Sequence, residues 1–498
     1  MSNQPTPAGG GHSFPPGGTW LAMAVLAVII VVASIIAVYP KAQPVAGNNN
    51  GPGSAAVTDA TPSPTASAAG GSFVPGQAGS AGSNSNGHGG GTTATACNQQ
   101  GNGGSTDTGV TSSQIKLAST IVNSGVGSSF LGAVQYGMQA VVNKVNRAGG
   151  ICGRQLSLTL VDDGWNAQVG CQDIQNFIHD GAFALPVEPS SEGLTTCIGN
   201  NSIHNAGIPV IGSDGMLKQQ YQASGQADWV WPIATSTVST MHIMVLDAYK
   251  NHGARSFCLA YDNHYKFGQE GQQAFDAEVQ RLGGTLAAPD EGLDPTQADY
   301  SQQINTFNGN CQGKADFVGL LLQPTAAQSW ITGGAYMGDP NKGGAAGAQP
   351  MFTSSLGKNC GNFCSGLKVY SGFRPPLAPY DSMASVRQYI NDVTAQSSSA
   401  DLDNQFLESG YDGMLLTVQA LTGVGPNLTR ARVRQYLDST AFVADGQGLS
   451  QPLSWHPGNH FANTAMLGYT MVANSGGFQG FRADPVGFIT DPNPSADT

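Results

Sequence analysis

The chain has 498 residues, of which 40% are hydrophobic and only 10% charged, and its net charge is −12. That length supplies more than one hydrophobic core and suggests two or three domains. An acidic chain without a basic stripe excludes nucleic acid as a partner, because neutralising phosphate takes clustered Lys and Arg.

Residues 1–18 carry no Lys or Arg and read as a short cytoplasmic tail. Trp20 to Tyr39 is a run of twenty residues with no charge, Pro or Gly. At about 1.5 Å per residue it spans a hydrocarbon core of about 30 Å, so 19–40 is expected to be a transmembrane helix. It is longer than a signal-peptide apolar region of roughly 7–15 residues, and no Cys follows closely enough for a lipid anchor. Loop charge specifies orientation poorly, since Lys41 lies just beyond the span. The cysteines decide for export. Eight of them follow the span, at Cys97, Cys152, Cys171, Cys197, Cys258, Cys311, Cys360 and Cys364, and an even number in an exported chain reads as a disulfide framework. Sequence leaves the connectivity open, and sequential pairing is the working expectation. Zinc is disfavoured: there is no CxxC pair, and His456 and His460 flank a Pro-Gly that forbids a helix.

From 41 to about 110 the chain is dominated by Gly, Ser, Thr, Ala, Pro and Asn. Such a composition buries too little apolar surface to offset its ordering entropy, so a disordered tether is expected. If Cys97 is pinned, its free part of about 55 residues has a root-mean-square reach of about 40 Å.

Beyond the tether, strands and helices alternate. IKLAST leads through NSGVGSS to a helix with Phe130, Leu131, Val134, Met138, Val141, Val142 and Val145 at helical spacing, closed by Gly149 and Gly150. LSLTLVDD then alternates as a half-buried strand and leads to the helix QDIQNFIHD. FALPV, EPSSEG, a helix around LTTCIG, and IPVIGSDG follow. Repeated strand–helix units imply a parallel sheet with helices on both faces. Asp162 and Asp163 fall at the carboxyl end of a strand, where such sheets place ligand crevices, and read as strand-end caps more often than ligands. Trp229 and Trp231 alternate on one strand face, as core or as cleft lining.

A second set starts after DWVWPIATS: the helix STMHIMVLDAYKNHG, SFCLAYD, the loop NHYKFGQEG, the helix QQAFDAEVQRLGG, ADFVGLLLQ, AAQSWITGGAYMG and QPMFTSS. Helices around MASVRQYINDV, YDGMLLTVQALTGVG and NLTRARVRQYLDST return toward the first set, and AMLGYTMVA and GFRADPVGFIT end the chain. The fold class expected is α/β, with two doubly wound parallel-sheet lobes joined by hinge crossings. The first lobe is assigned to 111–236 and 372–455, and the second to 237–371 and 456–490, with a cleft between them.

The ordered series IKLASTIVNSGVGSS, VNRAGGICGRQLSLTLVDDGWNAQVGCQDIQNFI, EPSSEG, AGIPVIGSDG, YDNHYKFGQEG and SGYDGMLLTVQAL resembles the type I periplasmic solute-binding proteins of the leucine/isoleucine/valine-binding class. The resemblance runs from about 115 to 490. It implies a two-lobed clamp that closes on a small solute and presents it to an ABC permease. It maps gripping loops of the first lobe onto Ser190, Ser191, Glu192, Ser213 and Asp214, and an aromatic loop of the second lobe onto Tyr265 and Phe267. Phe130 follows the first gripping loop. From the residues alone, Ser190 and Ser191 equally suit a helix cap.

The chain departs from its relatives at two places. In amino-acid-binding relatives an acid after the last second-lobe strand pairs with the ligand's ammonium, and here Ser355 stands near that place. The hydroxyl residue expected after IPVIGSDG is replaced by Met216. An unpaired buried ammonium costs several kcal/mol, out of about 8 kcal/mol available to a micromolar binder. An amide, a carboxylate or a larger apolar solute is therefore expected, unless Glu192 or Asp214 supplies the counter-ion. The chain has no GxSxG, HExxH or Walker loop, and no GxGxxG between a strand and a helix. Neither catalysis nor a cofactor is expected. A sensor using the same clamp without transport is the alternative function, and it needs a partner to read closure, since 18 residues before the span hold no output domain.

Overall fold

In the computed structural model, which describes residues 101–439 and 448–494, the first lobe opens with β1 (Gln114–Ile121). A short α1 (Ser128–Leu131) and the amphipathic α2 (Val134–Arg147) lead to β2 (Gln155–Asp162), which pairs with β1 in parallel from Gln114↔Gln155 to Ile121↔Asp162. Next comes α3 (Ala167–His179), whose first turn is capped by Asn166 accepting from the N–H groups of Gln168 and Val169. β3 (Leu185–Pro186), α4 (Ser191–Gly199), α5 (Ser202–Ala206), β4 (Val210–Ser213) and β5 (Val230–Pro232) complete the unit. β3, β4 and β5 are parallel, and a parallel bridge between Leu117 and Ala184 joins them to β1, giving the order β2-β1-β3-β4-β5. Apolar strand positions such as Ile115, Leu117, Leu185, Val210 and Ile211 are fully buried, as covering helices on both faces require.

The second lobe runs α6 (Thr237–Asn251), β6 (Ser256–Asp262), α7 (Lys266–Arg281), β7 (Thr285–Leu286), β8 (Glu291–Leu293), α8 (Ser301–Cys311), β9 (Phe317–Leu321), α9 (Pro324–Thr332), β10 (Ala345–Gly347), α10 (Ser354–Cys360) and β11 (Lys368–Ser371). The chain then returns to the first lobe with α11 (Ala384–Gln396), α12 (Gln405–Val424) and α13 (Arg430–Leu437). Finally β12 (Ala465–Asn474), β13 (Gly477–Ala483) and β14 (Ile489–Thr490) add antiparallel strands to the second sheet, whose path is β13-β12-β11-β10-β9-β6-β7. α12 lies very close to the first lobe. A Cβ on Gly137 would stand 2.4 Å from the Leu407 carbonyl oxygen, and one on Gly410 would stand 2.5 Å from that of Val134. Only glycine permits that approach.

Three segments cross between the lobes side by side, around 233–236, 371–374 and 461–464. Asn463 Nδ2 donates to the Ile233 carbonyl at 3.1 Å, and a Cβ on Gly372 would stand 2.9 Å from that same Nδ2 and 3.1 Å from Thr235 Oγ1. Lateral bonds of this kind hold the crossings as one hinge while leaving the sheets separate.

Cys171–Cys197 ties α3 to α4, Cys258–Cys311 ties β6 to α8, and Cys360–Cys364 closes the loop after α10. Cys152 is disulfide-bonded as well; its expected partner Cys97 lies outside the described residues, as do the expected tail 1–18, membrane helix 19–40 and most of the tether. Among the described residues no helix is long and apolar enough to cross a membrane. The tether assigned to 41–110 ends sooner than expected. Residues 101–110 are fixed to the first lobe because the buried Arg154 binds their backbone and the half-buried Arg430 binds Asp107 and its surroundings. Arg154, fully buried, donates to the carbonyls of Asn102, Gly104, Thr111 and Pro426. Arg430 donates to those of Ala182, Phe183 and Ala206, and its N–H to Asp107. Composition conceals this, since the segment contributes carbonyls rather than apolar side chains.

Trp229 and Trp231 prove to be first-lobe core. Trp231 is fully buried, with its indole N–H on Asp438 at 2.8 Å, and the Arg434 guanidinium sits over the Trp229 ring at 4.9 Å.

Candidate functional site

The carboxyl ends of the first-lobe strands carry three gripping loops. After β2, the two acids hold a tight turn: Asp162 accepts from the N–H groups of Asn123 and Gly164, and Asp163 from that of Trp165 at 2.8 Å. They act as strand-end caps. Trp165 takes φ 62°, a conformation rare for a bulky residue, which aims its ring out of the turn. After β3, Val187 and Glu188 both have positive φ and bring the chain into Ser190 and α4. After β4 come Ser213 and Asp214.

The second lobe meets these loops across the cleft. Tyr265, after β6, stacks on Trp165 with ring centroids 4.0 Å apart and planes 17° from parallel, and Phe267 lies 5.7 Å from the same indole. Phe130 supports Trp165 from behind, edge-on at 5.5 Å, and is itself fully buried against Phe406. Beside this aromatic lid, Glu192 Oε1 accepts the Lys266 backbone N–H at 2.9 Å, and Glu270 Oε2 accepts that of Lys218 at 2.9 Å. The lobes are shut.

Several buried polar groups on the strand ends and on α12 are unpaired. Ser213 Oγ, both Asp214 oxygens, both amide atoms of Gln323 and of Gln405, and both Glu408 oxygens are buried without a hydrogen-bond partner. Ser213 and Asp214 end β4, Gln323 follows β9 in the second lobe, and Gln405 and Glu408 share one face of α12. Leaving such groups unpaired costs about 1–3 kcal/mol each. Native interiors pair such groups with protein, ordered water, an ion or a ligand.

Burial dominates the electrostatics of the site. It raises the Asp214 carboxyl well above its ordinary value; the Ser409 hydroxyl beside it acts the other way but donates to the Phe406 carbonyl at 3.1 Å. Glu408 is raised in the same sense by burial and then by Asp412 and Asp403, with Arg374 opposing. Burial carries Glu188 to about 8 against its bonds from Thr120, and Asp163 to about 6 against the Ser190 hydroxyl and the Trp165 N–H. Glu192 is raised by burial, opposed by the Lys266 N–H. Among the described residues no group of three His, Cys, Asp or Glu is arranged to hold a metal ion.

The residues expected at the site separate into three sets. Glu192, Tyr265, Phe267 and, from behind, Phe130 form the lid; Ser190, Ser191, Ser213 and Asp214 are buried at first-lobe strand ends. Ser190 occupies the N-cap position of α4 without a side-chain cap bond, so its hydroxyl is not used there as a cap. Ser355 is exposed, its Oγ 3.1 Å from Thr353 Oγ1, and it is Thr353 and Ser354 that are buried on that loop. The helix explains the difference: Thr353 caps α10, which turns Ser355 outward. His264 is exposed and packs edge-on against Tyr265 at 4.8 Å. Trp165, Gln323, Gln405 and Glu408 were not singled out by sequence. The Gly-Trp after a strand-end acid pair hinted at the first, and nothing local marks the other three.

The family model described as "Periplasmic binding protein" matches residues 114–477. No curated protein matches the chain. Among solved structures, a fatty acid ABC transporter substrate-binding protein from Thermomonospora curvata is 18% identical, covers 76% of this chain and 92% of its own, and gives a TM-score of 0.62. A branched-chain amino acid transporter substrate-binding protein from Streptococcus pneumoniae, solved with isoleucine, is 17% identical over 74% of this chain and 99% of its own, with TM-score 0.59. A solute-binding protein of an ABC transporter from Rhodopseudomonas palustris, solved with 3,4-dihydroxybenzoic acid, is 13% identical over 76% and 98%, with TM-score 0.61.

Proposed function

The chain belongs to the periplasmic binding protein family, and on that premise we propose that its two lobes, 111–236 with 372–455 and 237–371 with 456–490, close around one small solute outside the cytoplasm and hand it unaltered to an ABC-type permease. The apolar segment 19–40, as the membrane anchor, belongs to the same proposal. The structural relatives are described with a fatty acid, with isoleucine and with a dihydroxybenzoate, so the fold accepts solutes of differing chemistry. For this chain the candidates are an amino-acid-like molecule, an amide or a carboxylate.

One observation carries the reading. Unpaired buried polar groups occur at strand ends of both lobes, Ser213 and Asp214 on one side and Gln323 on the other, and Trp165 stacks on Tyr265 across the cleft. A solute that completes them stabilises the shut form and leaves through the same mouth, which suits capture and release. Small-angle scattering with and without solute, combined with a thermal-shift screen, tests it. A bound solute should contract the particle and raise the melting temperature according to RT ln(1 + [L]/Kd). Superimposable curves across amino acids, amides, carboxylates, polyamines and aromatic acids would refute it.

A further inference from the structure

The chemistry of Asp214 narrows the solute class, resting on the clamp reading above. Asp214 is 1% exposed at the end of β4, and neither of its oxygens has a hydrogen-bond partner. The adjoining Ser213 hydroxyl, fully buried, is equally unpaired. Glu408, another buried acid of the site, has the Arg374 charge acting on it. Asp214 has none: burial and the Ser409 hydroxyl are the influences on it, and that hydroxyl is committed to the Phe406 carbonyl. An isolated buried carboxyl either stays protonated or acquires a cation. The protein supplies no cation there, so the carboxyl is neutral until a cationic solute arrives to ionise it.

We propose that Asp214 is the ammonium-binding residue of the cleft and that the solute is a small primary amine, held by its cationic end in the first lobe. The Ser213 oxygen accepts a second N–H of the ammonium, and the Gln323 amide, which offers both a donor and an acceptor, meets a neutral polar group at the solute's other end. A carboxylate in the same place would set like charge against Asp214. Its sp² oxygens would also leave Asp214 without a donor.

The test uses three carbon skeletons, each with three head groups: isoamylamine, isovaleramide and isovalerate; benzylamine, benzamide and benzoate; hexylamine, hexanamide and hexanoate. Calorimetry on the full chain reads affinity, and scattering reads closure. In at least one skeleton the amine is expected to bind and contract the particle, with its carboxylate giving no heat. Asp214→Asn should weaken that amine about 30-fold or more, as for truncation of one partner of a buried charge pair, and change the matching amide less than about 3-fold. Because Asp214→Asn removes an unpaired carboxyl, its melting temperature should equal or exceed the parent's, which controls for folding. Ser213→Ala should weaken the amine by a smaller factor. If a carboxylate binds and closes the lobes, or if Asp214→Asn leaves amine affinity intact, the clamp survives and the Asp214 assignment is overturned. If none of the nine binds, the Asp214 assignment is overturned, and the clamp falls with it only when the wider screen given above also leaves the scattering curves superimposable.

Discussion

Tyr265→Ala isolates the lid from the folding of either lobe. Tyr265 is half-buried on a loop and occupies the N-cap position of α7 without a side-chain cap bond, so truncation removes no helix contact. What it removes is the stack on Trp165, at 4.0 Å and 17°. Such a pair contributes about 0.5–1.5 kcal/mol beyond area burial, and the buried part of the ring adds about 1 kcal/mol. A total of about 1.5–2.5 kcal/mol lowers the closing constant about 10–60-fold. The apparent Kd rises by at most that factor, and by less the more fully the parent is closed without solute. Scattering should show an expanded particle without solute, while the unfolding midpoint in urea stays near the parent's. The double variant with Trp165→Ala supplies the decisive number, a coupling of about 1 kcal/mol between the two positions. Unchanged scattering and Kd together with strictly additive energies would refute the assignment of this pair as the latch.

Trp165→Ala alone should also destabilise the first lobe by about 3–5 kcal/mol, because the edge-on contact with Phe130 is lost; chemical denaturation reads it. Replacing Cys258 and Cys311 by Ser should cost about 4 kcal/mol on the loop-entropy model, for a separation of 53 residues, measured by urea unfolding under non-reducing conditions. Burial holds the folded Glu188 carboxyl at about 8 against an ordinary 4.5, so above the latter the unfolded chain binds fewer protons than the folded one. Stability therefore falls as pH rises across that window and levels off above it, and Glu188→Gln should flatten the profile by at most about 5 kcal/mol. Lys368→Met strands the buried Asp247, whose carboxyl is raised by burial but held below its ordinary value by the Lys368 ion pair at 2.8 Å. A loss of about 3–5 kcal/mol is expected on denaturation at pH 7.

The alternation of strand and helix was legible because period-2 runs such as Leu156, Leu158, Leu160 and helical runs such as Val134, Met138, Val141 are written locally. Loop positions followed from it: once the strands are placed, Ser213, Asp214 and Tyr265 fall at carboxyl ends. Roles set by tertiary burial were illegible. Gln323 and Glu408 look like ordinary surface residues until neighbouring elements cover them, and Trp229 and Trp231 look the same in a core as in a cleft. Ser355 shows the resolution of the method, since a shift of one or two residues on a capped helix start exchanges an exposed hydroxyl for the buried Thr353 and Ser354. The Gly- and Thr-rich approach to β1 misled for another reason, being held through its carbonyls by Arg154 and through the Asp107 carboxylate by the Arg430 N–H.

That arginine grip has a mechanical corollary. A pull arriving along the backbone at residue 101 ends in the half of the molecule that contains β1 and α13. On the clamp reading, the other half lies outside that load path.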